Sequence, residues 1–123
     1  MTFKFTAEQE AWLHDLETTR ARQTVGKLRD YEGWCCLGRA CKVLDLPSVK
    51  NGEIYTFLKN DSTLPSRATR ILNLRSGTGK LKVTVEEDLG TLTALNDDLR
   101  WSFKRIAKYI RANPENVFTK GAE

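Results

Sequence analysis

The stretch "WCCLGRACKVLDLP", residues 34–47, gathers all three cysteines of the chain into eight residues, beside a tryptophan, a glycine and an arginine. On a helical wheel Cys36, Leu37, Ala40, Cys41, Val43 and Leu44 fall within one broad arc, and Arg39, Lys42 and Asp45 fall on the other. That spacing predicts an amphipathic helix from Cys36 to about Leu44, ended by Pro47. Cys36 and Cys41 then belong with Leu37 and Leu44 on the buried side, and Arg39 is expected on the opposite, solvent side.

The same cysteines invite a chemical reading. A structural zinc site takes four thiolate or imidazole ligands, usually in two pairs, but Cys35 and Cys36 diverge by about 100° on a helix and His14 is the only imidazole. No metal and no cofactor is expected. Cys35, at the polar start of the helix with Arg39 nearby, is the candidate reactive thiol, because free backbone N–H groups and a cation favour the thiolate. Its only available base is His14, with Asp15 as the only neighbouring acid to orient it. No complete catalytic set follows, and the chain reads as a non-enzyme.

Outward from this centre, Thr6 with Gln9 three residues later forms a capping-box pattern, followed by Trp12, Leu13 and Leu16 at helical spacing, which predicts a helix from about 7 to 20. Residues 21–34 carry Gly26 and Gly33 without sustained period and read as a loop. "EIYTFL" at 53–58 fits either a strand or one helical turn. Pro65 suits the first turn of a helix running to about Asn73, with Ala68, Ile71 and Leu72 inward. "SGTG" at 76–79 stops it; the following Lys80 suggests a fragment of a phosphate loop, but no helix follows, so a plain turn is expected. "KLKVTVE" at 80–86 alternates apolar and polar residues and is the clearest strand candidate. Thr91 and Ser102 are expected to cap two helices within 91–112, the second burying Phe103, Ile106, Ala107 and Ile110. The acidic runs at 86–88 and 96–98 read as helix caps, with a divalent-metal or acid–base role lacking a second catalytic group. The expected fold is a small, helix-dominated α+β single domain over residues 1–123 with a short β element, residues 118–123 forming a frayed tail.

Charge is segregated along the chain. Twenty Lys and Arg against sixteen Asp and Glu leave a net +4. Residues 7–17 are acidic without a Lys or Arg, whereas 65–82 and 100–111 are basic without an acid. Arg67, Arg70, Arg100, Lys104, Arg105, Lys108 and Arg111 are therefore the candidate partner- or phosphate-binding residues, against the plainer alternative of solvated helix faces paired with the acidic first helix. Trp34 and Trp101, each beside basic residues, are candidate stacking platforms for a base or nucleotide; the alternative is two tryptophans at the edge of the core. The helical pair at 91–112 lacks a third helix long enough to read DNA in the usual helix-turn-helix manner. No stretch approaches a membrane span, the first ten residues lack signal-peptide order, and three closely spaced cysteines do not form a disulfide framework; a soluble cytoplasmic protein is expected.

The ordered set "GWCCLGRACKV", "LPSRATRILNL" and "LTALNDDLRWSFKRIAKYI" resembles a family of small phage and prophage proteins patterned CCLGxxC, LP, LxxLND and FxxIAxxI. The resemblance rests on Cys35, Cys36, Leu37, Gly38 and Cys41, on Leu64 and Pro65, and on Leu92, Leu95, Asn96, Asp97, Phe103, Ile106, Ala107 and Ile110. It covers residues 20–112 and departs from the pattern in a longer gap, "DLRW", before Ser102. What it implies is an accessory phage protein acting in the host cytoplasm on host defence or host metabolism. Joined to the charge pattern, it suggests a protein that binds and inhibits or redirects a host protein through its basic surface. The alternative is nucleotide or nucleic-acid binding by the same arginines and lysines.

Overall fold

The computed structural model describes residues 2–86 and 89–123. Its first helix, α1 (Ala7–Thr18), begins as the capping box requires: the Gln9 N–H donates to the Thr6 hydroxyl at 3.0 Å, and the Thr6 N–H donates to the Gln9 side-chain oxygen at 2.9 Å. Trp12, Leu13 and Leu16 are fully buried, each contributing about 2–3 kcal/mol of apolar burial. Gln9 is buried with them, and its amide nitrogen donates to the carbonyls of Leu72 and Lys120, both at 3.0 Å.

The helix predicted from the cysteine stretch is α2 (Cys36–Val43), with Cys36, Leu37, Ala40 and Cys41 at zero exposure. Leu44 caps its end, and Asp45 takes a left-handed conformation that turns the chain away before Pro47. A hairpin follows, β1 (Ser48–Asn51) antiparallel to β2 (Ile54–Phe57), with Asn51 opposite Ile54 across a two-residue loop. Gly52 supplies the positive φ (67°) at the first position of the two-residue loop, where this kind of hairpin turn takes glycine. The far edge of β2 is covered by the loop after α1: the Tyr55 N–H donates to the Arg29 carbonyl at 3.1 Å and the Tyr31 N–H to the Glu53 carbonyl at 2.9 Å.

Next come α3 (Ser66–Leu72), α4 (Leu92–Asp97), α5 (Phe103–Ala112) and the single turn α6 (Pro114–Val117). Thr91 and Ser102 cap α4 and α5 as expected, and Phe103, Ile106, Ala107 and Ile110 form the buried stripe of α5. Helix α1 is the central element: it packs on α2, α3 and α5, while α2 meets α4 and α5 meets α4 and α6. The result is a small single-domain α+β fold, six helices and one two-stranded sheet among the described residues.

Three expectations are corrected. The segment 80–86 is not a strand. Leu81 is buried but Val83 is 66% exposed, and the main chain is divided between two neighbours: the Leu81 and Val85 N–H groups donate to the Gly90 and Leu89 carbonyls at 2.8 and 3.2 Å, and the middle of the segment bonds to α6. The Lys82 N–H donates to the Asn116 carbonyl, and the Val83 N–H and C=O bond the Asn116 side chain at 2.6 and 2.9 Å. Isolated bridges to 89–91 and the Asn116 side chain together take the place of a neighbouring strand. Ile71, expected inward, is 37% exposed, because α3 buries only Ala68 and Leu72. The tail is not frayed: Phe118 is buried against Phe3, Phe5 and Trp12, the Thr119 N–H donates to the Asn73 carbonyl, and the Ala122 N–H donates to the Lys4 carbonyl at 2.7 Å. "SGTG" is a turn, closed by the Ser76 hydroxyl accepting from the Thr78 and Lys80 N–H groups. Of the acidic run 86–88, Glu87 and Asp88 lie outside the described residues.

Candidate functional site

The start of α2 is a built polar centre, but not a reactive one. Cys35 occupies the cap position, where its sulfur accepts from the Gly38 N–H at 3.3 Å, as a serine hydroxyl would. Beside it the Cys36 N–H donates to the Asn96 side-chain oxygen at 3.1 Å, and the same oxygen accepts from the Gln23 amide at 2.8 Å. The Asn96 nitrogen donates to the Thr24 carbonyl and the Asp97 carboxylate, both at 2.8 Å. All four hydrogen-bonding positions of this buried side chain are used.

The reactive-thiol reading of Cys35 is overturned by its burial. It is 7% exposed, and desolvation pushes its thiol up to about 12, outweighing the stabilising backbone N–H groups. Burial also raises Cys36, and raises Cys41 to about 12. All three thiols are expected to resist a thiol-specific reagent in native protein at neutral pH and to react fully in denaturant, as counted by absorbance. Buried thiols that stay protonated also set a pH dependence. The unfolded chain's thiols ionise near 9, so stability is complete below that pH and falls as pH rises from 9 toward 12. At pH 10 the loss is about 1 kcal/mol per thiol, read as a urea midpoint that falls less in a Cys41→Ala variant than in the parent.

Arg39 is likewise not a surface cation. It is 9% exposed and clamps Asp15 of α1 through two bonds of 2.8 and 2.7 Å. This takes Asp15 away from any partnership with His14, which lies exposed. Trp34 is half-buried, with the guanidinium carbons of Arg29 and Arg39 4.3 and 4.9 Å from its ring centre. Arginines, not open space, cover the stacking platform expected there.

The basic residues at 100–111 divide into two groups. Arg111 is consumed: it bonds Glu17 at 2.6 and 2.9 Å and Glu10 at 2.6 and 3.1 Å, bracing α5 against α1. Those bonds raise the Arg111 guanidinium further above its usual range and lower the Glu10 carboxyl. Glu10 and Glu17 stand seven residues apart on one face of α1, a spacing that could have announced the pairing. Arg100, Lys104, Arg105 and Lys108 are all exposed and form no ion pair among the described residues. Trp101 joins them: the Arg105 guanidinium lies 4.3 Å from its ring centre, and Tyr109 meets it edge-on at 5.8 Å. Trp101, Arg105, Lys108 and Tyr109 line one shallow depression of about 460 Å³. Tyr109 was missed in the sequence because it sits at the boundary of the buried stripe; its hydroxyl accepts from the Asn116 amide at 2.6 Å. Arg67 and Arg70 are exposed on α3, a helix whose main packing is on α1 and not on α5, so they do not extend this cluster by direct contact.

Among the described residues, no His, Cys, Asp and Glu groups converge to hold a metal ion, and no helix is long and apolar enough to cross a membrane. Compared with protein-family models, curated proteins and solved structures, the chain has no match.

Proposed function

We propose that the protein is a non-catalytic binding protein that docks onto an acidic surface of a host protein through α5, as a phage accessory protein that inhibits or redirects its target in the host cytoplasm. One observation carries the reading: the contrast within a single helix. Arg111 is neutralised by two carboxylates of α1, whereas Lys104, Arg105 and Lys108 of the same helix are exposed and form no ion pair among the described residues, with Arg100 likewise exposed just before it. Like charges on adjoining turns repel by a few tenths of a kcal/mol per pair, a cost that contact with an acidic partner removes. The motif order resembling phage proteins supports the accessory role and the host setting. A host defence component is the class of target that resemblance suggests.

A second reading, nucleotide or nucleic-acid binding, draws on the same cations and on Trp101. It is disfavoured by the Arg105 guanidinium already lying over that ring, which a base would have to displace. Tagged protein incubated with bacterial lysate at low salt is expected to retain an acidic protein that Lys104→Glu/Arg105→Glu/Lys108→Glu releases, with affinity falling by about a hundredfold or more. Retention of the same proteins by both forms, or of none by the parent, overturns the reading. Trp101 fluorescence quenched by oligonucleotide in the parent and not in the triple variant would put the second reading in its place.

A further inference from the structure

The loop before α2, the end of that helix and the open end of the hairpin enclose a cleft of about 430 Å³ on a different part of the molecule. Arg29 and Lys42 supply its cations, Trp34, Leu46 and Phe57 its apolar wall, and Asp45 and Ser48 complete its lining. Arg29 is the organising group. Its guanidinium carbon lies 4.3 Å from the Trp34 ring centre and 3.9 Å from that of Tyr55, so two aromatic rings fix the side chain in place. The guanidinium has no hydrogen bond and no carboxylate partner among the described residues, although the neighbouring Arg39 is fully committed to Asp15. Lys42, exposed in the last turn of α2, is equally without an ion pair there.

We infer that this cleft binds a small organic oxyanion, a carboxylate or phosphate monoester joined to a flat apolar group. A planar guanidinium presents paired N–H donors that match the two oxygens of such a group. Because the rings already immobilise Arg29, little side-chain entropy is lost when the ligand arrives. Lys42 adds the second positive charge, and the flat body rests on the parts of half-buried Trp34 and Leu46 that the arginines leave uncovered, with buried Phe57 behind them. Asp45 repels additional negative charge, which selects a singly substituted anion over a polyanion. The volume lies within the range of small-ligand sites.

Nitrogen-15 NMR of the full chain, titrated separately with phenylacetate and phenyl phosphate, tests the site and distinguishes the two sources of the anion. One or both probes are expected to shift the Trp34 indole N–H, the Arg29 Nε–H and the Ser48 amide saturably. Benzyl alcohol and inorganic phosphate, each carrying half of the recognition, are expected to bind at least about tenfold more weakly. Arg29→Gln is expected to lower affinity about tenfold or more; Lys42→Gln, at an exposed position that the fold does not use, is expected to lower it severalfold with an unchanged spectrum elsewhere. Absence of saturable shifts at Trp34 with both probes overturns the inference. So do shifts confined to α5, or a Lys42→Gln protein that binds as tightly as the parent.

Discussion

Asn96→Ala is expected to destabilise the protein by about 3–5 kcal/mol, because it strands several buried partners at once. The Cys36 N–H loses the acceptor that caps α2, the Thr24 carbonyl loses its donor, and the Gln23 amide keeps only its 2.7 Å bond to the Trp101 carbonyl. Unpaired buried groups cost about 1–3 kcal/mol each, and small domains have only about 5–15 kcal/mol in total. The midpoint of thermal unfolding should fall by roughly 10–20 °C, measured by circular dichroism. Asn96→Asp separates the two halves of the role. It keeps an acceptor for the Cys36 and Gln23 N–H groups, loses the donor to Thr24 and places a second carboxylate beside Asp97, so it should be destabilised as well. A thermal midpoint for either variant equal to that of the parent would show that the four bonds of Asn96 are not what holds α4 to the start of α2.

Gly38→Ala is the second large effect, and its sign runs against local preference. In an isolated helix alanine is favoured over glycine by about 1 kcal/mol. Here a Cβ at residue 38 would occupy the space of the Leu28 carbonyl, whose oxygen accepts from the Cys35 N–H at 3.0 Å. Both groups are main chain of buried residues, so relief requires the loop at Leu28 to move away and that bond to break. A net loss of about 2–5 kcal/mol is expected from overpacking and the broken bond together, read as a lowered urea midpoint at unchanged slope. Equal or greater stability would mean that the loop yields freely.

Where the sequence was legible, the signal was local and redundant. Thr6 and Gln9 announce α1 because the capping box closes within four residues, and the stripe of α5 repeats on successive turns. The failures share a different cause, partners far away in the chain. Alternation in 80–86 looked like a strand, but whether an extended segment joins a sheet depends on what lies beside it, and here the neighbours are isolated bridges to 89–91 and the Asn116 side chain. Arg39 was placed correctly on the polar arc of α2, yet that arc faces Asp15 of α1, which no wheel of α2 alone reveals. Of the basic cluster, Arg100, Lys104, Arg105 and Lys108 stayed exposed with Trp101 among them, whereas Arg111 was lost to Glu10 and Glu17. Composition cannot tell which cation an acidic helix will claim; only the docking of α1 on α5 decides it.

The clasp between the two ends of the chain has a consequence for the order in which the molecule can be completed. Gln9 donates to the Lys120 carbonyl across 111 residues, and Phe118 closes over Trp12 of the same helix. The groups that satisfy and cover the first helix lie more than a hundred residues further along the chain. Closing so long a loop is entropically costly and is repaid only when residues 118–122 dock. The covering of α1 therefore waits on residues 118–122, and a chain in which they are not yet docked leaves Trp12 and Gln9 uncovered.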